Sequence, residues 1–513
     1  MTELNSNNKN QAINYKRRIH LITVILFFFL SPVYSKPAVH WQERAAVIYI
    51  RRDNTGHILN KYKFSEEESI PVHSNSGGNY YRISTDLFKK METSSRTLIS
   101  SPPFSWVESG IVQRRKSSDF ATLWNGYKDV IITEKILFEL SRRYPGITDL
   151  RTIGKSLQGR PIYALKISKN PRIKENEPSF LFSSALHGNE PISIDYVLDM
   201  ARTVLENTET KKDPTLLRSV DEAALWFVPI INPDGVNIFW NINSLEGRKN
   251  ARDTFGSAGW NPGEGVDLNR NYPFFWNSGH REASSGNPKS VFYRGKSAAS
   301  EPEVQTMMNL ARQENFVMAF TFHTFATKIL TPYTIEGASN PYPNNAFRIA
   351  ERLAKKGKSY RKNKDYTADK NLYPVDGTDQ DWFYNSFGTF AFTVEGSYQT
   401  PEYETAQKSI RGMLPVSREM LEIYFKGPTL TVNTADISGR PIEADVSIAE
   451  IANISGETIR TEKNFGRFDF ILLDADTYTL IAEKKGFQKY SKKIKCRKGL
   501  QRISIKMVPL IKR

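Results

Sequence analysis

Ser179-Phe180-Leu181-Phe182-Ser183-Ser184-Ala185-Leu186-His187-Gly188-Asn189-Glu190-Pro191 is the stretch on which the reading of this chain turns. Its first eight residues make a short, mostly apolar run of the kind a buried strand needs. Pro191 then opens a helical segment whose apolar positions are Ile192, Ile194, Val197, Leu198 and Ala201. Proline suits a first helical turn, where its missing N–H costs nothing. A strand-to-helix turn can present His187 and Glu190 to one point at the strand end. Imidazole and carboxylate are the usual protein ligands of a catalytic zinc ion, and a third ligand from elsewhere leaves a fourth position for water. The chain holds only 7 histidines, so one more at the end of a second strand-like run, Phe320-Thr321-Phe322-His323-Thr324, is not mere abundance. Spacing of the H-x-x-E kind is weak by itself and needs context.

The context lies further along. Gly247-Arg248-Lys249-Asn250 precedes Val266-Asp267-Leu268-Asn269-Arg270-Asn271-Tyr272-Pro273, which lies between the two histidine segments. Residues 373–382 run from Tyr373 to Trp382, and Phe392-Thr393-Val394-Glu395-Gly396 follows. In this order the segments resemble the zinc metallocarboxypeptidase family over residues 127–425. The resemblance is specific because separate motifs agree in sequence.

It implies one zinc ion, Zn2+, held by His187, Glu190 and His323. These donors suit zinc better than calcium or magnesium, which prefer all-oxygen shells. It implies that Glu395 takes the proton of the attacking water and delivers it to the leaving amine. The apolar run 388–394 before Glu395 reads as a buried strand, and a carboxylate at its mouth is costly unless used or paired. Arg248 matches the family's partner for the developing oxyanion, although alone it reads as a solvated loop charge. Asn269 and Arg270 match the pair that recognises a free terminal carboxylate, for which a guanidinium offers a planar fork. Tyr373 matches a mobile tyrosine that closes over the terminal residue, and Gln380 falls in the lining of the pocket for its side chain. Asp267 is expected to orient a ligand imidazole from behind.

The chain also departs from the family pattern. Digestive members carry an arginine where this chain has Asn189, so contacts to substrate residues further from the cut are expected to weaken. Gln380 replaces the acid used there by digestive enzymes that prefer Lys and Arg. The regulatory subfamily has glutamine at this place and an acid on the strand after the second histidine, where this chain has Thr334, with Glu336 close by. The sequence therefore does not support a preference for basic terminal residues.

Strands and helices alternate after residue 127, which indicates an α/β sheet with helices on its faces, and ligands in such sheets gather at the carboxyl ends of strands. The expected helix is 131–144, and expected strands include 161–168 and 224–229. The family fold is a mixed central sheet flanked by helices. After Gly427-Pro428 short alternating runs separated by turns, at 429–434, 444–449, 467–473, 477–482 and 503–507, indicate a small all-β sandwich. It resembles the transthyretin-like domain of the regulatory subfamily. The expected organisation is an export signal at 1–35, an accessory segment or propeptide at 36–126, a catalytic domain at 127–426 and the sandwich at 427–513. A length of 513 residues with 39% hydrophobic content suffices for two or three domains.

Lys16-Arg17-Arg18, an apolar run at 21–30 and Ser35 before Lys36 have the pattern of an export signal cleaved after Ser35. The run is too short for a membrane span, which needs roughly 20 residues. A single cysteine, Cys496, excludes an internal disulfide, so stability rests on packing, as fits a bacterial envelope or extracellular protein. The net charge is +16, and residues 484–513 hold twelve Lys or Arg and no Asp or Glu. That tail is either a solvated face or a patch for an anionic cell-surface polymer or lipid. Nucleic acid is not expected, because aromatic residues are not interleaved with the charge as stacking platforms. The expected activity is removal of C-terminal residues from peptides or proteins with a free C-terminus, by a monomer. The alternatives are an amidase of the same fold acting on peptidoglycan stem peptides and a catalytically inactive binding module.

Overall fold

A computed structural model describes residues 120–242, 246–256, 261, 263–361, 365–370 and 373–510, together with the backbone of four strands nearer the amino terminus. The chain divides into two compact units, Met1–Pro103 and Phe104–Arg513. In the first, β1 (Ile22–Ile25), β2 (Ala45–Arg51), β3 (Ser69–Asn75) and β4 (Gly78–Ser84) form an antiparallel sheet in the order β1-β2-β4-β3. The apolar run Ala45-Ala46-Val47-Ile48-Tyr49-Ile50 lies in β2. Strand β1 falls inside the run read as an export signal; its β-branched residues also suit a strand. The Ser35 cleavage point and most of 36–126, including the basic Arg114-Arg115-Lys116 triplet that reads as a solvated loop or a processing point, lie outside the described residues.

The second unit is built on eight strands: β5 (Thr148–Lys155), β6 (Pro161–Ile167), β7 (Ser179–Ser184), β8 (Ala224–Val228), β9 (Met318–His323), β10 (Lys328–Leu330), β11 (Thr367–Asp369) and β12 (Phe390–Glu395). Their order is β11-β10-β12-β9-β7-β8-β6-β5. The central four, β12, β9, β7 and β8, are parallel, and both flanks join them antiparallel. The sheet is therefore mixed, as expected. Helices α1 (Val130–Arg143), α2 (Pro191–Thr210), α3 (Pro214–Glu222), α4 (Pro233–Asn241), α5 (Pro302–Glu314), α6 (Asn345–Ala354), α7 (Asp379–Phe387) and α8 (Tyr403–Lys426) surround it.

Alternate residues of the central strands serve opposite cores. Phe180, Phe182, Phe320, Phe322 and Phe392 pack with apolar residues of α1, α2 and α8. Leu181, Trp226, Ala319 and Ala391 pack with those of α5 and α7. Burial on both faces is why these strands read as continuous apolar runs without polar alternation. The register then fixes the functional edge: Ser184 pairs with Phe322, and His323 pairs with Glu395. The carboxyl ends of β7, β9 and β12 thus lie side by side.

Helix α8 passes through Gly427 into a sandwich of two three-stranded sheets, β15-β13-β18 and β14-β16-β17. Its strands are β13 (Pro428–Ala435), β14 (Asp445–Ile448), β15 (Arg467–Ile471), β16 (Thr477–Glu483), β17 (Tyr490–Lys495) and β18 (Gly499–Lys506). Leu430, Val432, Val446, Ile448, Phe470 and Leu480 fill its core. A buried polar knot joins sandwich to sheet unit. Arg467 donates to Asp469 (Nε to Oδ2, 2.7 Å), to the Tyr424 hydroxyl of α8 (2.8 Å) and to the Asn176 carbonyl (2.8 Å). No helix among the described residues is long and apolar enough to cross a membrane.

Candidate metal centre and cleft

The turn after β7 is held from three sides. Ala185 has φ of 52°, a left-handed conformation that a non-glycine residue adopts only where its surroundings impose it. Its carbonyl accepts from Asn232 N (3.0 Å), and the Asn232 side chain donates to the Leu186 carbonyl (3.1 Å) while capping α4 through Gly235 N (2.8 Å). Gly188 lies flat against that helix start: a Cβ there would sit 2.1 Å from Gly235 C and Val236 N. Gly188 N also donates to the Gly247 carbonyl (2.8 Å), which ties the histidine turn to the loop carrying Arg248. Glu190 occupies the N-cap of α2, yet its side chain makes no capping bond. The carboxylate turns inward instead.

His187 Nδ1 lies 2.8 Å from Glu190 Oε1 and 3.2 Å from His323 Nδ1. His323 Nδ1 lies 3.0 Å from Glu190 Oε2, which also accepts from Thr324 N (3.1 Å). All three side chains are buried, and their donor atoms lie within 4.8 Å of one another. Two imidazole nitrogens and a carboxylate converging on one buried point fit a shared cation, and this nitrogen–oxygen set is one that zinc accepts. His187 Nε2 faces Asp267 Oδ1 at 3.1 Å, which directs Nδ1 toward the cluster. Glu395, beside His323 across the β9–β12 ladder, is buried with Oε2 free of any hydrogen-bond partner.

The charges around this point are strongly biased. Burial, and then the neighbouring Glu190 charge, hold the Glu395 carboxyl well above the usual carboxylate range. Burial works in the same direction on Glu190, but the His187 and His323 imidazoles outweigh it and keep that carboxyl low. Asp267 is likewise held low despite its burial, by Arg248, Arg270 and His187.

Arg248 Nε and Nη2 both donate to Asp267 Oδ2 (3.0 and 2.7 Å), and Nη1 lies 3.4 Å from His187 Nδ1. Arg270 donates through Nη1 to the Asn269 carbonyl (2.8 Å) and through Nη2 to the Tyr373 hydroxyl (3.2 Å). Its Nε is buried without a partner. Both guanidinium groups lie over the Phe292 ring, at 5.3 and 5.2 Å from its centre. Phe292 and the Thr324 amide are contributors that sequence reading misses; a loop aromatic and a main-chain N–H carry no spacing signal. The Asn269 side-chain oxygen accepts from Asp379 N (3.1 Å). The Gln380 amide is engaged by main chain at both its nitrogen and its oxygen, donating to the Thr331 carbonyl (3.2 Å) and accepting from Thr393 N (3.0 Å).

The geometry brings His187, Glu190, His323, Asp267, Arg248 and Glu395 to one edge of the sheet, with Arg270 and Tyr373 in contact beside them. Residues 133–422 match the family model described as zinc carboxypeptidase. The chain belongs to the zinc carboxypeptidase family. A zinc carboxypeptidase of Saccharothrix mutabilis subsp. capreolus is 26% identical over 54% of this chain and 64% of its own length. Carboxypeptidase SOL1 of Arabidopsis thaliana is 24% identical over 71% and 69%. Bovine carboxypeptidase A1 is 28% identical over 56% and 68%. The chain spans about three-fifths of the first of these curated relatives. Thrombin-activatable fibrinolysis inhibitor shares the fold, with a TM-score of 0.57 and 19% identity over 74% of this chain and 98% of its own. A zinc carboxypeptidase fold thus accounts for the sheet, the helices on both faces and the cluster at the strand ends.

Proposed function

We propose that this member of the family is an exported, zinc-dependent carboxypeptidase that removes residues from the free C-terminus of peptides or proteins. The observation that supports it most is the buried His187–Glu190–His323 convergence with an unpartnered Glu395 oxygen alongside. A zinc ion bound by those three residues would polarise the scissile carbonyl and lower the pKa of a bound water to about 7. With a dication on the three ligands offsetting the Glu190 charge, Glu395 is left ionised, so that it takes a proton at its carboxylate and returns it to the nitrogen of the leaving amine. Arg248, fixed by two bonds to Asp267, meets the negative charge that grows on the carbonyl oxygen. Arg270 and Asn269 bind the terminal carboxylate, and the unpartnered Arg270 Nε is a donor free for it. Tyr373, 40% exposed at the cleft rim, covers the terminal residue and excludes water. The sandwich, which resembles a transthyretin-like domain, carries the basic strands that offer an anionic cell surface a docking face, and the enzyme acts as a monomer.

The test is incubation of the purified, zinc-loaded protein with a peptide mixture, read by mass spectrometry. Stepwise shortening from the C-terminus is expected, lost on chelation and in Glu395→Gln, a variant that retains zinc. Internal cuts, or trimming indifferent to chelator, would overturn the reading. Export is tested by amino-terminal sequencing of the mature protein: a start at Lys36 is expected, and a start near Met1 would refute it.

A further inference from the structure

One end of the sandwich combines features that solvation alone does not explain. β13 leaves α8 at Gly427 and β18 runs parallel to it, so the register pair Ala435 and Lys506 lies at the end of the sheet away from that junction. Main-chain bonds gather three segments there. Met507 N donates to the Ala435 carbonyl (2.8 Å), Gln488 N to that of Val508 (2.7 Å) and Leu510 N to that of Gly486 (2.8 Å). Three aliphatic side chains stand in solvent at this end: Ile437 is 65% exposed, Leu510 56% and Val508 44%. Ile454, another strongly exposed aliphatic of the sandwich, lies elsewhere, next to Ser455, whose carbonyl accepts from Asn385 of α7.

The charges around these tips are unbalanced. Asp436 is taken by Arg440 (2.9 Å), Glu483 by Lys489 (3.1 Å) and Asp445 by Arg460 (2.6 Å), Glu443 also acts on Arg460, and the Glu462 carboxylate accepts from the Asn464 and Phe465 amides. Lys484, Lys485 and Lys506 form no ion pair among the described residues. From this end the edge strands β17 and β18 continue the basic surface with exposed Lys492, Lys493 and Arg502. Protruding aliphatics ringed by unmatched ammonium groups complement a bilayer interface: phosphates attract the lysines, and the acyl boundary accepts the apolar tips.

We propose that this end of the sandwich docks on anionic phospholipid, with Ile437, Val508 and Leu510 entering the acyl boundary and Lys484, Lys485 and Lys506 meeting headgroup phosphates. The proposal deepens the anionic-surface reading above by naming a bilayer as the partner, and it does not depend on catalysis. The test is cosedimentation of the full chain with phosphatidylcholine vesicles containing or lacking phosphatidylglycerol. Binding only to the anionic vesicles is expected, weakened about tenfold or more at high salt. The triple change Ile437→Ser, Val508→Ser, Leu510→Ser, and separately Lys484→Glu with Lys485→Glu, are each expected to weaken it about tenfold, with thermal melting unchanged. No binding to anionic vesicles would overturn the proposal. So would a triple variant that binds like the parent, or tighter capture by soluble polyphosphate than by vesicles. Peptide trimming measured on the same samples separates the two readings: vesicle binding without trimming would sink the catalytic proposal alone, and trimming without vesicle binding this one alone.

Discussion

Asp267 holds two partners at once, the His187 imidazole on one oxygen and the Arg248 fork on the other. Replacing it by Asn keeps the shape but removes the charge that steadies both. Asp267→Asn is expected to weaken zinc affinity about 10–100-fold, measured by competition with a chromogenic chelator. Arg270→Lys loses the planar fork and is expected to lower kcat/KM on free-acid peptides about 10–100-fold, while bound zinc stays unchanged. A third residue-scale expectation concerns pH. Burial pushes the Asp381 carboxyl up to about 7, against the opposing hydrogen bonds from Thr334. A raised carboxyl binds its proton in the folded state, so its contribution to stability is full below about 4 and is lost as pH rises through about 7. Asp381→Asn should therefore remove a fall in unfolding free energy on the order of 2–4 kcal/mol between pH 4 and 8, read by denaturant titration. An unchanged slope would refute it. At this scale the cluster is legible in the sequence because each of His187, His323 and Glu395 closes an apolar run. Gln380 is less so: its partners Thr331 and Thr393 are met through their main chain, and main-chain engagement leaves no mark in composition.

Elements were legible to the degree that they are buried on both faces. β7, β9 and β12 are almost wholly buried and announce themselves as apolar runs. β5 is polar at the sheet edge, and β10 and β11 have three residues each, too few for a period to register. β17 hides within a lysine run, Tyr490-Ser491-Lys492-Lys493-Ile494-Lys495, whose side chains are mostly exposed, so it reads as surface charge. The turn between β7 and α2 gives a prediction of its own. Gly188→Ala sets a methyl 2.1 Å from two backbone atoms of α4, which cannot yield as a flexible side chain would. It is expected to cost about 1–3 kcal/mol, and a larger share of zinc affinity than of helicity, because the displaced element carries His187. Calorimetry and zinc titration on the same variant check both.

Across the second unit, the buried Arg467–Asp469–Tyr424 knot, with its further bond to the carbonyl of exposed Asn176, makes sandwich and sheet mutually dependent. Arg467→Ala leaves Asp469 buried without its cation and is expected to cost about 3–5 kcal/mol. None of the 8 tryptophans lies in the sandwich and all but Trp41 follow Pro103, so fluorescence follows chiefly the sheet unit and hydrogen exchange in β13–β18 follows the sandwich. Both transitions should coincide in the parent and shift together in the variant; a shift confined to the sandwich would show the two parts to be independent. The sequence placed the boundary between them at Gly427-Pro428, where the turn chemistry is plain. It did not signal the knot, because an arginine and an aspartate two positions apart on a strand look like charges facing solvent. Helix α8 reaches β13 through a single glycine, and residues on either side complete one another's bonds. A foreign sandwich grafted at this seam would need its own cation and acid at the places of Arg467 and Asp469, or the Tyr424 hydroxyl would be left facing an empty mould.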